Sequence, residues 1–111
     1  MSYNPDRWIV IKISHTGDKS HYRVFGTWFG GYASGDSWRM NSGIVRVEEY
    51  EEEYRFFGTS GSEYRCLKPF YGTNSYTDGV LQGIIKDQAL VGTTVEILPA
   101  KTDFVTLGPQ Q

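Results

Sequence analysis

IVRVEEYEEEYRFFGTSGSEYRCLK, residues 44–68, decides the fold class. It holds three short runs, 44–49, 53–58 and 62–68, in which residue character alternates with a period of two. The first junction is an acidic tip around Tyr50 and the second is Gly58-Thr-Ser-Gly61, both turn signals at hairpin length. The segment therefore reads as a three-stranded antiparallel meander. Alternation puts Val45/Val47, Tyr54/Phe56 and Tyr64/Cys66 on one side, and Pro69 ends the last strand. Upstream, RWIVIKIS (7–14) reads as another strand, with Ile9, Ile11 and Ile13 on one face and Trp8, Val10 and Lys12 on the other. The polar SHTGDKS is its hairpin turn, with Gly17-Asp18 at the tip. A returning strand carries Tyr22, Val24, Gly26 and Trp28 on its inner face, where Gly26 marks a bend or a close neighbour.

Downstream, the helix candidate spans 76–90. Ser75 serves as its N-cap, with Asp78 three residues later, and Val80, Leu81, Ile84 and Ile85 form an apolar stripe. Gly79 and Gly83 each cost about 1 kcal/mol relative to alanine, so tertiary packing must hold this helix. A strand at 93–98 and a short extended piece around Phe104 complete the chain. The expected fold is all-β, mainly antiparallel, with one ancillary helix, in the form of a small, strongly bent SH3-like or Sm-like barrel. An OB-type barrel is the alternative. Residues 1–107 form a single domain and 108–111 a disordered tail.

Composition agrees with this. Eight Tyr, six Phe and three Trp in 111 residues favour pleated, half-buried surfaces. A formal charge of −2 lacks the basic excess of a general nucleic-acid binder. One cysteine excludes an intramolecular disulfide framework and fits a reducing compartment. The start has no apolar signal region, and no run approaches the roughly 18 apolar residues of a membrane span. A soluble protein of the cytoplasm, with no membrane partner, is expected.

The segment FGTWFGGYASGDSWRMNSG (25–43) stands apart, with five aromatic residues and five glycines in no simple periodicity. A short strand at 38–40 fits inside it. Such a stretch lets backbone pass close to rings, as in a tight corner or a recognition loop. Phe29, Tyr32, Trp38 and Arg39 are the candidate binding residues, for stacking on a partner's side chains or on bases. Trp28 and Trp38 also fit a core role, with the glycines serving only to turn a barrel corner.

The other constellations carry weaker chemistry. Arg23, Arg46, Arg55 and Arg65 share the outward face with Glu48, Glu53 and Glu63, a pattern that suits cross-strand ion pairs better than phosphate binding. The acidic stretch 48–53 lacks the ligand spacing and central glycine of a calcium loop. His15 and His21 flank one turn, and Cys66 far along the chain is poor support for a zinc site or a Cys/His nucleophile. Gly58–Ser62 lacks the Gly-Lys-Ser/Thr ending of a phosphate loop, and Gly79-x-x-x-Gly83 reads as permitting close helix–barrel packing. No catalytic residue, metal site or cofactor is expected.

The segments SYNPDRWIVIKIS, VFGTWFGGYASGDSWRMNSGIVRVEE and FFGTSGSEYRCLKPFYG resemble a small family of uncharacterised proteins of tailed-phage and marine viral genomes. The most specific part is W-x-G-G-Y…D-S-W-R-x-N-S-G at 28–43. The family has no assigned activity, so the resemblance implies no catalytic residues. It implies a phage gene expressed in a bacterial host's cytoplasm, with or without incorporation into the virion. The expected function is a non-enzymatic accessory module that binds a protein partner or itself as a homo-oligomer. The alternative is a single-stranded nucleic-acid-binding module that uses 25–43 as a stacking platform.

Overall fold

The computed structural model describes residues 1–17, 19–30 and 35–108. Its strands are β1 (Ser2–Tyr3), β2 (Arg7–His15), β3 (His21–Trp28), β4 (Ser37–Met40), β5 (Ile44–Glu49), β6 (Glu53–Gly58), β7 (Glu63–Leu67) and β8 (Thr93–Ile97). One helix, α1, covers Ser75–Ala89, and short 3-10 turns cover Lys68–Phe70 and Phe104–Leu107. The strands form two four-stranded sheets, ordered β1-β7-β6-β5 and β4-β3-β2-β8. Every ladder is antiparallel except β1 on β7. The fold is thus mostly antiparallel β with a single helix. No ladder among the described residues joins the two sheets into a closed barrel.

β2 explains why the sheets stack. Its Trp8-Ile-Val-Ile run is buried throughout, as in a strand covered on both faces. Trp8 and Val10 point to the first sheet, where together with Val24 of β3 they meet Phe56, Tyr64 and Cys66. Ile9 and Ile11 point the other way and pack with Phe25, Val95 and Leu81 of α1. The result is three layers: sheet, sheet, helix. Trp8 is the hub of the inter-sheet core. Its ring centroid lies 4.7 Å from Tyr71, 5.3 Å from Phe104, 5.5 Å from Phe56 and 6.1 Å from Tyr54. Its indole Nε1 donates to the Leu67 carbonyl at 2.7 Å, so burial leaves the polar edge satisfied. The Tyr71 hydroxyl accepts from the Val10 amide and donates to the Leu98 carbonyl, and burial pushes its pKa up to about 12.

Asn41 closes the passage from β4 to β5. Its backbone N–H donates to the Val24 carbonyl, and its side-chain Oδ1 accepts the Val24 amide at 2.8 Å. One residue thereby extends the strand pairing where the chain leaves one sheet for the other. Gly26 meets the close neighbour its position foretold. A Cβ there would lie 3.0 Å from Pro5 and 3.1 Å from the Trp28 ring.

Several details differ from the sequence reading. Val45 is half-exposed because a bulge between Ile44 and Arg46 takes it out of the alternation, and Ile44 is buried instead. The helix starts one residue early: Asn74, not Ser75, is the N-cap, in a capping box with Thr77. Gly79 and Gly83 touch nothing, so they do not mediate close packing. The piece around Phe104 is a 3-10 turn that plugs one end of the inter-sheet core, with Phe104 1% exposed. Gly108, assigned to the disordered tail, is buried against Arg46 and Val47. The parallel β1 was not foreseen, since two residues are too few to show a period.

Candidate functional site

The glycine and aromatic segment is held at its two ends. Leaving β3, the Phe29 amide donates to Asp6 Oδ2 at 2.7 Å, and the Gly30 amide donates to Asp36 Oδ1 at 3.2 Å. The other Asp36 oxygen accepts from Asn74 Nδ2, so one carboxylate ties the segment to the N-cap of α1. Below this, Thr27 and Thr77 share a buried hydroxyl bond at 3.0 Å. Glycine is required at 30: a Cβ would fall 1.4 Å from the Gly35 carbonyl oxygen, so the backbone at the two glycines approaches too closely for any side chain. Residues 31–34, and with them Tyr32, lie outside the described residues.

The remaining predicted binding residues are divided by strand parity. Phe29 is 50% exposed just beyond β3, and Trp38 is 39% exposed on β4. Trp38 stacks on Phe25, centroids 5.2 Å apart and planes 12° apart, on the helix side of its sheet. Arg39, the next residue, points the opposite way and lies 4.8 Å over the Tyr3 ring. The pairs Gly26↔Arg39 and Thr27↔Trp38 make this unavoidable, since adjacent strand residues face opposite sides. Trp28 packs against Tyr3 and Tyr64 and serves the core. Phe29 and Trp38 stay on the surface; Arg39 does not join Trp38 in one platform. β4 itself is an edge strand, with one side of its backbone unpaired among the described strands.

No protein-family model, curated protein or solved structure matches this chain. The chemistry of its surfaces must therefore be read from the residues themselves.

The arginines and glutamates of the first sheet form the expected cross-strand pairs only in part: Arg65–Glu53 and Arg55–Glu63 cross from β6 to β7, while Arg55–Glu53 and Arg46–Glu48 pair along one strand. The Glu53 carboxylate serves both Arg55 and Arg65, which sit opposite each other on β6 and β7, and Glu48 pairs with Arg46 at 3.1 Å. The Arg55 bond holds the Glu53 carboxyl below the usual carboxylate range. Arg23 is not part of this ladder, because it belongs to the second sheet. Cys66 is fully buried between the sheets, where desolvation pushes its thiol well up and leaves it unreactive. Asp36, Cys66 and the two histidines occupy three separate places, and no three potential metal ligands converge among the described residues.

A feature that strand parity did not reveal lies under the second half of α1. The helix leaves a cavity of about 320 Å³ against its sheet. Ile11, Ile13, Met40, Ile84 and Val95 supply apolar lining, while His15, His21, Arg23 and Gln88 supply the polar part. The imidazoles stack with centroids 6.5 Å apart. Arg23 Nε donates to His21 Nε2 at 3.2 Å, and His15 Nδ1 shares a 2.7 Å bond with the Thr93 hydroxyl. Desolvation, then Arg23 and His15, lowers the pKa of His21, which keeps it neutral. His15 and His21 were visible in sequence as two ends of a turn. Their meeting with Arg23 beneath a helix some sixty residues away was not.

Proposed function

We propose that this chain is a non-enzymatic recognition module, a phage-derived accessory protein that binds a protein partner or a second copy of itself. One observation carries the reading: two large rings, Phe29 and Trp38, stay on the surface at a segment whose backbone is clamped by Asp6, Asp36 and Asn74. Exposed aromatics on a rigid support lose little entropy on binding and are the usual carriers of interface energy. Edge strand β4 beside them offers backbone groups for strand addition. The reading includes the cytoplasm of a bacterial host as the place of action. It also treats the stacked sheets as a partly open barrel of SH3-like or Sm-like kind.

The test is capture from bacterial lysate by the tagged chain, with and without nuclease, alongside sedimentation of the purified protein. The double variant Phe29→Ala/Trp38→Ala is expected to melt cooperatively and to lose about thirtyfold or more in affinity, the effect of a single binding hot spot. Unchanged capture or self-association by the variant would overturn the proposal. Capture that disappears with nuclease would replace it with single-strand binding, a reading that the turned-away Arg39 does not favour.

A further inference from the structure

We infer that the cavity between β2, β3, β8 and the second half of α1 is a binding site for a small amphipathic carboxylate, with its charged end on Arg23 and its tail over Ile13, Ile84 and Val95. The site is separate from the Phe29/Trp38 surface and does not depend on the recognition reading.

Three features point to this class of ligand. The volume, about 320 Å³, is at the lower end of the roughly 300–1,000 Å³ of small-molecule sites, so the ligand is short. The lining is mostly aliphatic and holds no acidic side chain among the described residues. Arg23 is half-buried there, and no ion pair among the described residues includes it. Its guanidinium is held by two neutral acceptors, His21 Nε2 and the Asn41 carbonyl at 3.4 Å, through Nε and Nη1. Nη2 and the second Nη1 hydrogen have no partner among the described residues, and these are the donors that take a carboxylate in bidentate geometry.

His21 supports the same assignment. Because its Nε2 accepts from Arg23, its neutral ring carries the proton on Nδ1, which gives a further N–H donor near the same rim. Among the described residues, the charged and titratable groups facing it are Arg23 and His15, neither of them acidic. A phosphate or nucleotide would leave the aliphatic floor uncovered. A neutral hydrocarbon would desolvate the guanidinium with no compensating charge. A short carboxylate with an apolar tail satisfies both halves of the lining.

The experiment is an NMR titration of the whole chain with octanoate, 1-octanol and acetate in parallel. Octanoate is expected to give saturable shifts at the methyls of Ile13, Ile84 and Val95 and at the His21 ring. Octanol should bind at least tenfold more weakly, and acetate should not saturate. Arg23→Gln should weaken octanoate at least tenfold. Gln88→Glu adds a carboxylate to the lining from an exposed helical position and should do the same, so the test survives if the arginine variant fails to fold. The inference is overturned if those methyls show no saturable shift, if octanol matches octanoate, or if a folded variant binds as tightly as the parent.

Discussion

The two faces of the β4-β3-β2-β8 sheet come from alternate residues of the same strands, yet they are packed in different ways. Toward the first sheet, Trp8 interlocks with four other rings, and Phe104 and Tyr71 close the end of the layer. Toward the helix the contacts are aliphatic: Ile9, Ile11 and Val95 meet Leu81, flanked by the partly buried Val80, Ile84 and Ile85. Rings of different orientation fill irregular space well, whereas a single cylinder laid on a twisted sheet leaves a gap along part of its length. That gap holds His15, His21 and Arg23. The ring cluster fills one side of the sheet, and the cavity under α1 lies on the other.

The largest expected effect breaks the ring side. Trp8→Ala removes the hub and orphans the Leu67 carbonyl, at a cost of about 3–5 kcal/mol, most of the stability of a marginal domain. Leu81→Ala, equally buried, should cost nearer 2 kcal/mol, because the side chains around the adjoining cavity can move in. Urea unfolding of the two variants measures the difference directly. Equal losses would mean that the faces are equally well packed.

A smaller effect sharpens the helix side. Gly79→Ala and Gly83→Ala place a methyl in open space on an α-helix, so each should raise stability by about 0.5–1 kcal/mol. The urea midpoint should rise for both. No gain would show that these glycines serve something other than the helix.

The smallest effect separates the faces by pH. His21 has its pKa lowered, so the unfolded chain binds the proton more readily; its contribution is complete above about 6.5 and is lost as pH falls toward the folded value. Glu53, lowered by Arg55, contributes above about 4.3 and loses that contribution at more acid pH. Acid unfolding should therefore show a shallow first decline below pH 6.5, absent in His21→Gln, and a second that the variant retains. A variant with an unaltered first decline would remove His21 from the account.

Much of this architecture was legible one strand at a time. Alternation and turn signals located six of the eight strands and the Arg/Glu face of the meander, and the 38–40 piece was placed inside a segment without simple periodicity. Alternation failed where local geometry departs from the period. The bulge at Val45 moved one residue out of line, and the capping box settled on Asn74 because its side-chain Oδ1 accepts from the Thr77 amide. For the candidate surface, the glycines at 30 and 35 and the exposed Phe29 were readable, but the separation of Trp38 from Arg39 needed the β3–β4 register.

Composition and periodicity by themselves determined that the chain is mostly antiparallel β with one helix, that aromatic rings build its core, and that residues 25–43 are unusual. Tertiary structure alone decided that the strands divide into two stacked sheets, that Trp8 and not Trp28 stands at the centre, and that two histidines and an arginine with no ion pair among the described residues share a cavity. The reason is physical. Alternation records which face of its own strand a residue takes, a local property, whereas the partner that covers that face is chosen by packing between segments far apart in the chain.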